Sequence, residues 1–195
     1  MHKIKKYALV LFLLTPVQIT FCFGQTQSPE TNFRLLTYGE PGGIGNPEIV
    51  IAKKWGIEFY QVAGCIVSRR LLDSAEQHNK VVEISIVEEY GKDWRDKFYK
   101  EVNVERKIQK KVKILIEKLE YIKMKKAEMK KAEIKNKSIF LNYIMTPVPN
   151  STLYDVSIQG WGTLSGEEGW ITYYKLLVDY KTKSTKLISD RIVKE

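Results

Sequence analysis

Tyr154-Asp155-Val156-Ser157-Ile158-Gln159 alternates apolar with polar side chains over six residues. That is the period of a strand with one face on a core and the other in water. The same period extends outward. Upstream, Ser138 to Thr146 places Ile139, Leu141, Tyr143 and Met145 on one side, and Pro147-Val148-Pro149-Asn150 supplies the turn between the two strands. Downstream, Gly162, Gly166 and Gly169 mark a loop, Trp170 to Tyr180 reads as a third strand, and Thr185 to Ile192 follows a turn at Lys181 to Ser184. Four strands joined by short connections predict an antiparallel meander.

Before residue 138 the period is helical. Val104, Ile108, Val112, Leu115, Leu119 and Ile122 recur at spacings of four or three with lysine filling the positions between, predicting one long basic amphipathic helix. Past Ile122 the sequence repeats Met-Lys-Lys-Ala-Glu from Met124 and again from Met129, a five-residue period that cannot keep one helical face. This half is expected to project into solvent, with Lys125, Lys126, Lys130 and Lys131 as candidate binding residues for an anionic partner.

The remaining segments read as strand 33–38, a glycine-rich loop, a helix from Pro47 to Trp55 capped by Asn46 and stopped by Gly56, and a strand from Ile57 to Ala63. Ser68 can cap a helix that Gly91 ends, although Val82, Ile84 and Ile86 also alternate as in a strand, so 81–87 reads both ways. Trp94, Phe98 and Val102 form a further helical stripe. The fold class is α+β: a mostly antiparallel sheet ending in the four-strand meander, with the helices packed on one face.

Lys3, Lys5 and Lys6, the apolar run Ala8 to Leu14, and the close Cys22-Phe23-Gly24 have the three parts of a secretory signal, with cleavage expected after Gly24. Thr15, Pro16 and Gln18 interrupt the run, which disfavours a retained membrane anchor, and the bulky Phe21 disfavours lipid modification of Cys22. The organisation is then signal 1–24, a loose N-terminus 25–31 and one domain 32–195, exported to the periplasm or beyond. Signal removal lowers the net charge from +9 to +6, and thirteen basic against five acidic residues between Glu105 and Lys137 concentrate the positive charge in one segment.

Cys65 becomes the sole thiol of the mature chain, so no intramolecular disulfide forms, and its apolar neighbours Val62 to Val67 favour burial over reactivity. With His78 it makes the minimal nucleophile and base of a cysteine-dependent hydrolase or transferase, but no orienting acid or amide accompanies them. One Cys and one His without clustered carboxylates cannot fill a zinc shell, so neither metal nor cofactor is expected. The loop Gly39 to Gly45 lacks both Gly-x-Gly-x-x-Gly and Gly-Lys-Ser/Thr, which excludes nucleotide as a partner. Glu167 and Glu168 are adjacent and belong to a loop tip, whereas Trp161, Trp170, Tyr173 and Tyr174 divide between core packing and a sugar-stacking surface.

Lys53-Lys54-Trp55-Gly56-Ile57-Glu58, Val62-Ala63-Gly64-Cys65, His78-Asn79 and Glu89-Tyr90-Gly91-Lys92-Asp93-Trp94 together resemble uncharacterised exported bacterial proteins of the FEKKY-domain type. The motif that names that family falls on Ile86-Val87-Glu88-Glu89-Tyr90, which lacks its Phe and both lysines. The resemblance implies export and one domain, and it carries no catalytic residue over. The expected function is therefore an exported, non-enzymatic binding or interaction module. Its partner would be a protein or an anionic envelope polymer, with the Cys65 and His78 enzyme as the alternative.

Overall fold

A computed structural model describes residues 33–39, 45–64, 66–131 and 140–194. Residues 1–24, expected to be a signal, residues 25–31, expected to be a loose N-terminus, and Cys65 lie outside the described residues. In chain order the elements are β1 (Phe33–Tyr38), α1 (Pro47–Lys54), β2 (Ile57–Ala63), α2 (Arg69–Tyr90), α3 (Trp94–Glu117), α4 (Glu120–Lys131), β3 (Asn142–Pro147), β4 (Leu153–Leu164), β5 (Glu167–Asp179), β6 (Ser184–Ser189) and β7 (Val193–Lys194).

Local chemistry sets the helix ends. The Asn46 side chain accepts from the Glu48 amide at 2.9 Å with Pro47 in the first turn, and Ser68 accepts from the Leu71 amide. Gly91, at φ 90, closes α2, which settles 81–87 as helix despite its β-branched residues. The helix wins because its face seals a core: Ala75 and Ile86 are buried there.

The strands divide into two sheets. The meander forms as an antiparallel sheet in the order β3-β4-β5-β6, with β7 pairing β5 beyond the end of β6. The strand expected from Thr185 to Ile192 ends instead at Ser189, and Val193–Lys194 forms a second short strand after a break at Asp190 to Ile192. β1 and β2 instead pair in parallel as a sheet of their own, connected through α1.

Each sheet has its own core, and α3 belongs to both. Trp94, Phe98 and Val102 from its first half join Leu35, Ile51, Trp55, Ile57 and Ile86 under the parallel pair. Val112 and Ile116 from its second half join Ile122, Met145, Val156, Ile158, Leu176 and Val178 under the meander. The helices therefore do not all share one sheet face: α2 packs beside β1, whereas α3 and α4 cover the meander.

The stripe expected from Val104 is out of phase at its start. Val104 is 52% exposed, and Glu105 turns inward in its place. The run of stripe positions also breaks at Lys118 and Leu119, where Leu119 N bonds Ile116 O and Ile122 N bonds Leu119 O, so the single long helix becomes α3 and α4. That re-phasing turns Ile122 and Met129, seven residues apart, onto the sheet. The solvated projection expected from Ile122 to about Lys135 is thereby corrected for residues 123–131, which are docked, while 132–135 lie outside the described residues. Room for it comes from Gly160, where a Cβ would lie 2.6 Å from Met129 Cε.

Candidate binding surface on the basic helices

The four lysines proposed from sequence do not act alike. Lys125 turns inward, its side chain only 13% exposed, with Nζ 4.2 Å from the centre of the Tyr173 ring and 3.0 Å from Glu128. Lys126 reaches across to Glu117 of α3 at 2.6 Å and also flanks the Tyr143 ring. Burial works to lower the pKa of this ammonium, but Glu117 and the neighbouring Tyr143 outweigh it and the value rises. Burial, reinforced by Glu128, raises the Tyr173 phenol. These two lysines fasten α4 to its surroundings, while Lys130 and Lys131 stay exposed at its end.

The free positive charge lies instead on α3. Between Lys100 and Lys118 the sequence holds three carboxylates, and the fold pairs two of them with other lysines and buries the third. Glu101 is held by Lys54 at 2.7 Å, Glu117 is held by Lys126, and Glu105 is buried against Tyr154. Lys100, Lys107, Lys110, Lys111 and Lys118 are exposed and make no ion pair among the described residues. Helical geometry puts them on the face opposite Phe98, Glu105, Val112 and Ile116. The expected signal was present in the lysine spacing, but which acids would be consumed depended on partners far away in sequence.

His78 is tied to the edge of β1 through one ring nitrogen, which leaves Nδ1 with the lone pair. Its Nε2 lies 3.0 Å from the Arg34 carbonyl, an acceptor, so this ring nitrogen carries the proton. Its neighbour Asn79 accepts from the Leu36 amide at 2.8 Å and donates to the Leu36 carbonyl at 2.9 Å. Together they occupy the outer edge of β1, as an additional strand would. Cys65 lies outside the described residues, so the pair has no geometry to report.

The four candidate aromatics divide between the two faces of the meander. Trp161 and Trp170 are cross-strand partners meeting edge to face at 5.9 Å, and Trp161 is 45% exposed. Tyr173 lies beneath Lys125, and Tyr174 meets Tyr121 of α4 at 5.1 Å. One sugar-stacking surface of all four does not form. Glu167 pairs with Lys194 just after the turn at Ser165 and Gly166, both at positive φ.

In the glycine loop, residues 40–44 lie outside the described residues. Gly45, at φ +89, is pressed on β3, where a Cβ would come within 2.6 Å of the Met145 amide nitrogen, and its carbonyl accepts from Gln109. That glycine serves close packing of backbone on backbone.

A cleft of about 550 Å³ runs along α2 between Tyr38, Arg69, Leu72, Asp73, Glu76 and Glu83. Its charges are paired, Arg69 with Asp73 and Lys80 with Glu76 along the helix and Glu83 with Arg95 of α3, so it offers no unpaired charge to an ion. Among the described residues no group of three or more His, Cys, Asp or Glu could hold a metal ion, and no helix is long and apolar enough to cross a membrane. No family model matches the chain, and neither a curated protein nor a solved structure matches it.

Proposed function

We propose that the chain is an exported, non-enzymatic binding module that meets an anionic partner of the cell envelope through the outer face of α3. The observation that carries this reading is the run of unpaired lysines from Lys100 to Lys118, whose three intervening carboxylates are each held by another group. Clustered surface ammonium groups without counter-charges attract polyanions and acidic surfaces, with a strength that falls as salt screens them. The signal-like start and the resemblance to exported proteins of the FEKKY-domain type favour action outside the cytoplasm. The absence of an orienting acid or amide motif beside Cys65 and His78 weighs against an enzyme built on that pair.

The test uses the mature chain and envelope fraction from its own cells. Co-sedimentation should be strong at low salt, weak at physiological salt, and lost in Lys107→Glu/Lys110→Glu/Lys111→Glu. Equal sedimentation of that variant and the parent would remove α3 as the contact surface. Turnover of an ester or thioester that disappears in Cys65→Ser would replace the binding reading with the enzymatic one.

A further inference from the structure

Resting on the reading that the outer face of α3 is the contact surface, we infer that its partner is the headgroup layer of an anionic phospholipid bilayer, on which α3 lies flat. The charges alone suit any polyanion. Val104 and Ile114 do not: they stand on this same face, 52% and 46% exposed, flanked by Lys100, Lys107, Lys111 and Lys118. Ten residues separate them, about 15 Å of helix. A soluble polyanion offers nothing to two isolated β-branched side chains, whereas a bilayer takes their methyl groups into the headgroup and acyl boundary while lysine stems snorkel around them.

The residue types on this face point the same way. Its charges are lysines, point cations that attract a phosphate layer without fixing its geometry, and not the guanidinium forks that read individual phosphates or carboxylates. Arg106, at the margin, is tied to Asn103 at 2.6 Å. There is also no aromatic side chain from Lys100 to Lys118 on which bases or sugar rings could stack. The buried face of α3 is filled along its length, from Phe98 to Ile116, so the outer face is held as one uninterrupted helical surface about 27 Å long.

The experiment measures binding of the mature chain to phosphatidylcholine vesicles with and without a third of phosphatidylglycerol, and to dextran sulfate as a soluble polyanion. Binding should require phosphatidylglycerol. Lys107→Gln/Lys110→Gln/Lys111→Gln should weaken it on the order of 100-fold, roughly fivefold per lysine. Val104→Ser/Ile114→Ser should weaken vesicle binding roughly tenfold while leaving dextran sulfate binding unchanged. All five positions are exposed, and unchanged circular dichroism and unfolding midpoints will show that the variants remain folded. Dextran sulfate binding without vesicle binding, or vesicle binding untouched by the serine pair, would overturn the bilayer inference and leave the lysine face standing as a polyanion site. Full binding of both probes by the triple glutamine variant would overturn the surface itself.

Discussion

The Tyr154 hydroxyl of β4 sits 2.9 and 2.8 Å from the two carboxylate oxygens of Glu105 of α3, with both residues buried where the meander meets the helix. Gln109 donates to the same carboxylate at 2.9 Å and to the Gly45 carbonyl at 2.8 Å, extending the network to the loop before α1. Burial and the facing carboxylate both push the Tyr154 phenol far above its ordinary range, so the hydroxyl keeps its proton and keeps donating.

Tyr154→Phe should therefore lower stability by about 1.5–3 kcal/mol, the range for a hydrogen bond to a charged group whose partner stays buried. Combining it with Glu105→Leu should recover part of that loss, because no carboxylate is then left buried without the hydroxyl. Urea unfolding of the two single variants and the double variant measures the coupling, and strict additivity would show that the contact contributes nothing.

Along α3 the phase of burial predicts a steep gradient. Ile116→Ala should cost about 2–5 kcal/mol because the side chain is fully buried, whereas Val104→Ala should stay within about 0.5 kcal/mol of the parent. Leu115, half-buried at the margin, should fall between them. A Val104→Ala loss as large as that of Ile116→Ala would contradict the orientation of the helix.

Lysines 125 and 126 should separate from 130 and 131 by their effect on folding. Lys125→Gln/Lys126→Gln removes a desolvated cation over Tyr173 and the Glu117 ion pair, and should lower the stability of α4 by about 1–2 kcal/mol. Lys130→Gln/Lys131→Gln should leave it within about 0.5 kcal/mol. Thermal unfolding of both pairs distinguishes fastening charges from solvated ones.

At the edge of β1, Asn79→Ala should cost about 1–3 kcal/mol and speed hydrogen exchange of the Leu36 amide, which then loses its acceptor. Exchange monitored residue by residue should show Leu36 responding far more than Leu35, which is buried in the core.

Asp179 gives a pH dependence of known sign. Its carboxylate accepts from Thr152 and from the amides of Lys181 and Thr182 at the turn into β6. Burial works to raise its pKa, but these bonds outweigh it and hold the value below the ordinary 3.8. A depressed carboxylate pKa means that the contribution is complete above about pH 4 and is lost as pH falls through the lower folded value. Amide shifts of Lys181 and Thr182 followed by NMR should move together below pH 4 and stay constant above pH 5. Movement centred near neutrality would assign the turn to another group.

What the sequence revealed was local. Asn46 with Pro47, Ser68, and Gly91 are signals within one turn of the element they bound, and the period of two from Tyr154 to Gln159 reports its own face directly. The stripe expected along α3 differs from the structure at its start, because Val104 is apolar yet exposed, while Glu105 is charged yet buried by a tyrosine forty-nine residues later. The docking of α4 was hidden for the same kind of reason, since the space for Met129 exists only where β4 carries Gly160. The lysine face was visible as composition. Its acids were cancelled by Lys54 and Lys126, and no periodicity announces those pairs.

Because α3 lends its first half to the core of the parallel pair and its second half to the core of the meander, neither core can open without stripping apolar side chains from the same helix. Fraying that begins in one sheet withdraws the backbone on which the other is built. Helix formation is itself cooperative, so the shared helix ties the two sheets into one melting unit. Heat absorption should thus occur as a single peak whose calorimetric and van't Hoff enthalpies agree, even though the strands form two separate ladders.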